Sequence, residues 1–324
     1  MEFLAKIAVD LKDAVAERAA GGAGSPPPEF RTVAHGPGWS VDDVTCTYGP
    51  HDRPFSEEHS GFSVALVLAG TFQYRGLCGR ERTGHLMTPG SLMLGNPGQP
   101  FECVHQHGHG DRCLSFHFAP EYFEEIAADA GAPRGRRGFR PMSLPAMREM
   151  SPLAAKACAN LAGTSGAANL EMPWGEIAMQ VGAAAIRSAN EFSIPEAEPL
   201  PSAAARITRA VRMMEENHQQ PWTLQRLASE AGLSPYHFLR TFEMVTGVTP
   251  HQYARRVRLR RAATQFLAES SSILDIVMDC GFGDLSNFNR AFRDEFGMSP
   301  REFRRDAGLA RRPGSQTPVL ARNF

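Results

Sequence analysis

Hydrophobic positions follow three patterns in turn along this chain. Apolar residues recur at helical spacing over about the first twenty positions, with charged residues between them, and predict an amphipathic helix. Short apolar runs broken by Gly and Pro fill about 30–118 and predict an antiparallel β-barrel or sandwich. Helical spacing returns from Pro120 onward. The pattern therefore predicts an α+β chain whose C-terminal part is all-α.

Gly and Pro mark the boundaries between these regions. Gly and Pro cannot continue a helix at 21–28, and three prolines interrupt 195–202. Ala-rich helices predicted before the second linker suit packing against the barrel or against a second copy of the chain. The predicted organisation is a helix and linker at 1–28, a β-barrel domain at 29–130, a helical connector at 131–194, a linker at 195–202, a helical domain at 203–308 and a disordered tail at 309–324.

Composition narrows the class of protein. The 324 residues are 42% hydrophobic and 21% charged, and no apolar run approaches the roughly 18 residues of a membrane span. The six cysteines are scattered and follow no secretion signal, so we expect no disulfide framework and a reducing, cytoplasmic location.

Charge is segregated along the chain. The net charge is −1 overall, but 202–312 holds 17 Arg, no Lys and 12 acidic residues. The forked hydrogen bonds of arginine suit phosphates and guanine edges better than the point charge of lysine does. This bias favours a nucleic acid as the partner of the helical domain.

One segment of the helical domain is repeated. Residues 224–253 read LQRLASEAGLSPYHFLRTFEMVTGVTPHQY, and 273–303 read ILDIVMDCGFGDLSNFNRAFRDEFGMSPREF. In both, a first helix meets a glycine, Gly232 or Gly281, and a second helix follows a sharp turn. A single pattern of this kind is more often an ordinary corner between two helices. The tandem repeat favours two helix-turn-helix units instead.

The second helix of each copy has its own start signal. Ser234 is placed to cap one, with Pro235 at its first helical position, and Asp284 is placed to cap the other. The residues expected in the core are Phe238, Phe242, Val245, Phe288, Phe292 and Phe296. The outward-facing residues expected to contact DNA are Tyr236, His237, Arg240, Thr241, Ser286, Asn287, Asn289, Arg290 and Arg293. Arg240 and Arg290 are as suited to holding a phosphate as to reading a base.

A long helix is predicted between the two copies, over HQYARRVRLRRAATQFLAES. A stiff connector fixes the separation of the two reading helices, as the spacing of successive major grooves requires. Its core side is expected to carry Tyr253, Val257, Ala263 and Phe266. Its arginines, expected to contact phosphate or to stay solvated, are Arg255, Arg256, Arg258, Arg260 and Arg261.

About residues 203–306 resemble the DNA-binding domain of the AraC/XylS family of transcription regulators. The resemblance rests on AGLSPYHFLRTF, RVRLRRAATQFL and IVMDCGFGDLSNFNRAFRDEFGMSPREFR. It implies base contacts at Tyr236, His237, Leu239, Arg240, Leu285, Ser286, Asn287, Asn289 and Arg290. Leu239 and Leu285 depart from the hydrogen-bonding residues that many members carry there, and an apolar contact with a thymine methyl group is all they can offer.

The β-region resembles the cupin-like sensor domain commonly joined to this DNA-binding domain. The resemblance rests mainly on HLMTPGSLMLGNPG, where one Pro-Gly turn precedes a strand and a second follows it. Metal-binding cupins carry a histidine soon after the second turn, where this chain has Pro100 and Phe101. This departure argues against the usual cupin metal centre.

A separate group of potential metal ligands follows in FECVHQHGHGDRCLSFHF. Thiolates and imidazoles suit zinc or copper, and three or four of these groups converge if the hairpin folds around Gly108 to Asp111. The candidates are Cys103, His105, His107, His109, Cys113 and His117, with His51, His59 and His85 as further contributors. Three alternatives stay open: histidines in an exposed turn without a ligand, a redox pair of Cys103 and Cys113, and a barrel interior that holds a small organic effector.

The sequence thus predicts a sequence-specific transcription regulator of the bacterial type, not an enzyme, that binds double-stranded promoter DNA. Its β-barrel is expected to modulate DNA binding in response to an effector, with zinc or copper as the metal candidates. A homodimer formed through the Ala-rich helices and a contact with RNA polymerase are further expectations. The alternative is a cupin-type metalloenzyme that carries a DNA-targeting C-terminal domain.

Overall fold

The computed structural model describes residues 3–21, 26–76, 84–106, 108–132, 138–163, 174–191, 201–268 and 271–306. The strands are β1 (Glu29–Gly36), β2 (Trp39–Cys46), β3 (Phe55–Glu58), β4 (Phe62–Gly70), β5 (Phe72–Gly76), β6 (Gly84–Met87), β7 (Leu92–Gly95), β8 (Pro100–Val104), β9 (Asp111–Phe118) and β10 (Ser143–Leu144). The helices are α1 (Phe3–Gly21), α2 (Pro120–Asp129), α3 (Ser151–Gly163), α4 (Trp174–Glu191), α5 (Pro201–Glu216), α6 (Leu224–Glu230), α7 (Pro235–Thr246), α8 (Pro250–Ala268), α9 (Ile273–Asp279), α10 (Leu285–Phe296) and α11 (Pro300–Asp306), with a short 3-10 helix at Arg148–Met150. The predicted α+β class is confirmed. The predicted tail at 309–324 and most of the linker at 195–202 lie outside the described residues.

Two antiparallel sheets form the N-terminal domain. The larger sheet has the strand order β1-β2-β9-β4-β7-β10, and the smaller has the order β3-β8-β5-β6. Every residue of β4 from Phe62 to Ala69 is buried, as expected for a continuous apolar run covered on both faces. One face of β4 packs with α4, and the other faces a cluster between the sheets that includes Tyr74 and Phe101.

The Ala-rich helices pack against this barrel. Ile177, Val181 and Ala185 of α4 are buried in the same hydrophobic cluster as the outer face of the larger sheet. Small side chains let helix and sheet approach closely, which explains the alanine content of α4. Met179, on the opposite side of α4, stays 45% exposed.

A buried carboxylate ties the edge of the larger sheet together. The side chain of Asp43 is 4% exposed and accepts two hydrogen bonds from Arg112, both of 2.8 Å, and one from Arg31, also of 2.8 Å. Burial by itself would raise the pKa of Asp43, but the hydrogen bonds from Arg112 and then Arg31 outweigh it and hold the pKa below its usual value. The ionised form is therefore the stable one in the folded protein.

This carboxylate predicts an acid-sensitive contribution to stability. Because the pKa of Asp43 is lower in the folded than in the unfolded chain, its contribution is present above about pH 4 and is lost as the pH falls through the folded pKa. Denaturant titrations at a series of pH values should show the free energy of unfolding decreasing as the pH falls below about 4. The Asp43→Asn variant should show a smaller decrease, and an identical pH profile for the two proteins would contradict the assignment.

Two hydrophobic clusters build the helical domain, one for each half. Helices α5, α6 and α7 meet the first part of α8 around Phe238, Phe242 and Tyr253. Helices α9, α10 and α11 meet the second part of α8 around Phe288 and Phe292. The predicted core residues of the repeat and of α8 are buried, except that Val245 is half-buried. Helix α8 therefore holds the two halves in one arrangement.

None of the helices within the described residues combines the length and apolar character needed to cross a lipid bilayer.

Candidate functional site

The turns of the two predicted units have the expected local chemistry. Gly232 and Gly281 have φ values of +63° and +81°, the left-handed conformation that closes the first helix of each unit. Ser234 Oγ accepts a hydrogen bond from the backbone N–H of His237 at 3.4 Å. The Asp284 carboxylate accepts two from the start of α10, at 2.8 and 3.0 Å. Both predicted caps are confirmed, and they fix where α7 and α10 begin.

The N-terminal part of α7 presents a polar surface, which we name the first reading face: Tyr236, His237, Leu239, Arg240 and Thr241. The Tyr236 side chain is 65% exposed, and its hydroxyl accepts a hydrogen bond from Arg240 at 3.4 Å. His237 is exposed as well, whereas Leu239 and Thr241 are half-buried. The opposite side of α7 is anchored by Phe238 and Phe242, both 0% exposed.

Helix α10 presents the second reading face: Leu285, Ser286, Asn287, Asn289, Arg290 and Arg293. All six residues are exposed, and Leu285 is 37% exposed despite being apolar. Arg290 donates a hydrogen bond to Asn287 Oδ1 at 3.4 Å, so the two side chains lie together. The opposite side of the helix carries the fully buried Phe288 and Phe292. The amphipathic pattern of α10 therefore turns five hydrogen-bonding side chains outward together with the apolar Leu285.

Four of the five arginines of α8 make hydrogen bonds within the protein. Arg258 donates to the backbone carbonyls of His218, Gln220 and Gly281, at 2.7, 2.8 and 3.0 Å. The Arg260 guanidinium is paired with Glu215 at 2.7 Å. The other three, Arg255, Arg256 and Arg261, are half-buried. Because α8 is surrounded by both halves of the domain, Arg256, Arg258, Arg260 and Arg261 bond to neighbouring elements within the protein. The expectation that the arginines contact phosphate or stay solvated is wrong for these four and stays a prediction for Arg255.

Arg258 helps to fix the position of the first reading face relative to the second. Its three acceptors lie after α5 and in the turn of the second unit, so one side chain joins the first half of the domain to the second. A further hydrogen bond, from Gln219 Nε2 to the carbonyl of Asp279 at 2.7 Å, reinforces this link. The separation between α7 and α10 is therefore held by polar contacts as well as by the shared core.

The helical domain is docked on the N-terminal domain through α8 and α10. Ser151 Oγ donates a hydrogen bond of 2.6 Å to Glu295, whose side chain is 2% exposed. Arg256 approaches the same carboxylate at 3.6 Å and donates to the carbonyl of Ala146 at 2.6 Å. A cavity of about 410 Å³ lies beside these contacts, between α1, α3, α5, α8 and the end of β4. The two domains therefore share an interface that includes a cavity.

The structure assembles a different ligand cluster from the one predicted. Of the five candidates that the structure describes, only His105 joins a group able to hold a metal ion, and its companions are Cys46 and Asp111. All three are buried, and one ligand atom from each lies within 4.8 Å of the others. The His105 Nε2 atom is 2.6 Å from Asp111 Oδ1.

The other candidates lie apart from this group or only beside it. His109 is exposed, and His117 pairs with Asp42 at 3.3 Å. Cys113 Sγ is 3.3 Å from Asp111 Oδ2 but is not a member of the group, and neither is Cys103. His107 lies outside the described residues. Among the described residues, the structure therefore does not bring His109 and His117 together with His105 in one ligand group.

The remaining histidines have separate environments. His59 hydrogen-bonds to Tyr74 at 2.8 Å and Ser63 at 3.1 Å, His85 pairs across strands with Tyr74, and His51 is exposed. None of these three belongs to the ligand group in the part of the chain that the structure describes. Burial raises the pKa of the Cys103 and Cys113 thiols well above the usual value. Protonated thiols are poor nucleophiles, which disfavours a reactive redox pair.

Two family models match the chain at these two regions. Residues 47–176 match the AraC-like ligand binding domain, and residues 227–306 match a helix-turn-helix domain. The chain belongs to the AraC/XylS family. The ligand-binding match thus runs from just before β3 to the first turn of α4, and the helix-turn-helix match runs from within α6 to the end of α11.

Named relatives of this AraC/XylS-family chain are transcription regulators. The HTH-type transcriptional regulator ArgR of Pseudomonas aeruginosa is 36% identical over 120 residues, which are 37% of this chain and 36% of that protein. The HTH-type transcriptional activator RhaS of Klebsiella pneumoniae is 36% identical over 107 residues, 32% of this chain and 38% of that protein. This chain thus spans well under half the length of either relative.

A solved structure resembles part of the chain. The AraC-type transcriptional regulator structure from Chromobacterium violaceum is 32% identical, with a TM-score of 0.31, over 34% of this chain and 95% of that chain.

Proposed function

We propose that this chain is a sequence-specific DNA-binding transcription regulator, an activator or a repressor, whose N-terminal domain modulates DNA binding. The observation that carries the proposal is the pair of exposed polar faces on α7 and α10, each backed by buried phenylalanines. In helix-turn-helix proteins, the N-terminal residues of the second helix contact base edges in the major groove. Both faces begin at that position in the two units, and Arg293 extends the second face to the last turn of α10.

The residue types on the faces support reading of bases. Asn287 and Asn289 have amides that can bond to adenine in two places, and Arg240, Arg290 and Arg293 can do the same to guanine. Phosphate contacts by some of these arginines would serve to position the protein. Tyr236, His237, Thr241, Ser286 and the exposed apolar edge of Leu285 complete the proposed contacts. Since the two faces differ in composition, we propose a bipartite, non-palindromic site under each subunit.

The interface between the domains offers a route for regulation. Glu295 lies on the same helix as the second reading face and bonds to Ser151 of the N-terminal domain. A ligand that changes the packing around α1, α3 or the adjoining cavity would change how α8 and α10 are held. This arrangement supports coupling between effector binding and DNA binding.

Other features of the proposal concern partners and class. We propose a homodimer in which the exposed side of α4 contributes to the contact between copies, and a contact with RNA polymerase when the protein is bound at a promoter. We place the protein in the cytoplasm, where its DNA target would be. We infer no enzymatic activity, since ArgR and RhaS, which it resembles, are named as regulators.

Binding to DNA selected from a random pool tests the proposal. With six or more phosphate contacts, the affinity should fall by about 10³-fold or more between about 50 and 200 mM salt. Selected DNA should also be bound at least about 10³-fold more tightly than unrelated DNA at the same salt concentration. A weak dependence on salt together with equal affinity for both DNAs would refute it.

A further inference from the structure

Cys46, His105 and Asp111 are brought together from both sheets of the barrel. Cys46 and Asp111 are direct cross-strand partners in the β2–β9 pair of the larger sheet. His105 follows directly after β8 of the smaller sheet. The three side chains therefore join the two sheets at one end of the barrel, with 3–5% exposure for each residue.

Their geometry is close to that of a tetrahedral metal site. Bonds of about 2.0–2.3 Å place the donor atoms around a zinc ion about 3.3–3.8 Å from one another. The three donor atoms here lie within 4.8 Å of one another, and the side chains of His105 and Asp111 are in direct contact, with Nε2 2.6 Å from Oδ1. Small side-chain adjustments would bring all three to ligand distance. Three protein ligands would leave one coordination position for water or another group.

The chemistry of the cluster favours a cation over a simple buried ion pair. A pair of His105 and Asp111 accounts for one ring nitrogen only, since the Nδ1 atom of His105 is buried without a hydrogen-bond partner among the described residues. A buried polar atom without a partner costs free energy. Ligation through Nδ1 would give this atom a partner, whereas ligation through Nε2 would replace the contact with Asp111. The adjacent Cys46 thiol gives the cluster a sulfur ligand, which suits zinc and softer ions and does not suit magnesium or calcium.

We propose that Cys46, His105 and Asp111 bind a cation of the zinc class, and that this cation is an effector of the regulator proposed above. The regulatory half of this inference rests on the proposed function, whereas the binding half does not.

The position of the cluster would let a bound cation influence the DNA-binding domain through contacts with α1. A methyl group built on Gly110, next to Asp111, would lie 2.8 Å from Val15 Cγ2 and 3.0 Å from Leu11 Cδ1 of α1. Helix α1 in turn contacts α8, the helix that joins the two units. Drawing His105 and Asp111 onto a metal ion would therefore move a loop that is packed directly beneath α1.

Cobalt(II) provides a direct test of the binding half with the purified full-length protein. One equivalent of Co²⁺ should give the intense visible absorption of a tetrahedral site and a thiolate-to-cobalt charge-transfer band, both removed by Zn²⁺. Cys46→Ser should abolish the charge-transfer band. Asp111→Asn should weaken Zn²⁺ affinity by at least about 10- to 100-fold. Loss of a residue that only hydrogen-bonds to a metal ligand already has that effect, and Asp111 is proposed to be a ligand itself. His117→Gln, on the same strand as Asp111, and Cys280→Ser, in the helical domain, serve as matched controls and should bind Co²⁺ as the wild type does.

A thermal-unfolding measurement guards against variants that misfold. Zn²⁺ should raise the Tm of the wild type, because it binds the folded chain, and should leave the Tm of Cys46→Ser unchanged. Absence of a cobalt spectrum in the folded wild-type protein, or an unchanged spectrum in Cys46→Ser, overturns the metal site.

DNA binding measured on the same samples separates the two proposals. Adding Zn²⁺ should change the affinity of the wild type for selected DNA and leave that of Asp111→Asn unchanged. Sequence-specific binding by the metal-free protein without any cobalt site would overturn the metal site and leave the regulator intact. A cobalt site in a protein that shows no preference for any DNA sequence would overturn the regulator and leave the metal site intact.

Discussion

Replacing Phe288 with alanine is expected to lower the free energy of unfolding of the helical domain by about 3–5 kcal/mol, the usual cost of removing a buried aromatic ring. Phe288 is 0% exposed and contacts the rings of Phe282, Phe266 and Phe292, with centroid distances of 4.9, 6.0 and 5.4 Å. The lost ring would leave a cavity at the centre of the second cluster. Denaturant unfolding of the full chain, followed by circular dichroism, measures the loss.

The neighbouring residue Leu285 supplies the control for this prediction. It lies on the same helix but is 37% exposed, so Leu285→Ala should change the free energy of unfolding by no more than about 0.5 kcal/mol. If Phe288→Ala were as mild as Leu285→Ala, α10 would not be anchored as described. If both substitutions were severe, Leu285 would be part of the core and not of the second reading face.

Replacing Arg240 or Arg290 with alanine is expected to weaken binding to selected DNA by about 1–3 kcal/mol, roughly 5- to 150-fold. Each arginine lies on the reading face of one unit, and its side chain is exposed. The two faces belong to different units, so the double variant should lose close to the sum of the two single effects. Gel-shift or fluorescence-anisotropy titrations measure these affinities.

An arginine distant from both faces provides the comparison. Arg140 is exposed in the N-terminal domain, and Arg140→Ala should leave DNA affinity within about twofold of the wild type, the effect of about 0.4 kcal/mol. Equal losses in Arg140→Ala and Arg290→Ala would show that only the overall positive charge matters. The unfolding free energies of all these variants should match that of the wild type, since the substituted side chains are at the surface.

Local features of the helical domain could be predicted from the sequence because their causes are local. Ser234 and Asp284 cap helices through backbone groups two or three residues away, and Gly232 closes a helix through its own φ angle. The buried phenylalanines follow from helical spacing alone. Each of these features depends only on residues close by in the chain, so each can be predicted from the sequence.

The environment of the arginines on α8 depends on distant parts of the chain. Arg258 bonds to carbonyls of His218 and Gly281, which come near only after both halves of the domain have folded around α8. Charge and helical spacing give no information about these acceptors. Because α8 is buried on most sides, Arg258 links the two halves of the domain and does not face solvent or phosphate as predicted.

The ligand cluster in the barrel shows the same dependence on tertiary structure. Cys46 becomes the neighbour of Asp111 through the register of β2 against β9, and His105 reaches them from the other sheet. Spacing along FECVHQHGHGDRCLSFHF predicts ligands that are neighbours in the chain, such as His109 and His117, which are not members of the buried group. The register between distant strands decides which side chains meet, and spacing within one segment does not contain it.

The proposed regulator carries two different DNA-reading faces that are held at a fixed separation. Sequencing the DNA that the full-length protein selects from a random pool, in parallel with Arg240→Ala and Arg290→Ala, tests this claim most directly. Two unlike clusters of preferred bases should appear about 10–10.5 base pairs apart, centre to centre, and each variant should relax the preference in one cluster only. A single cluster, or a loss of preference spread equally over the whole site in both variants, would contradict it.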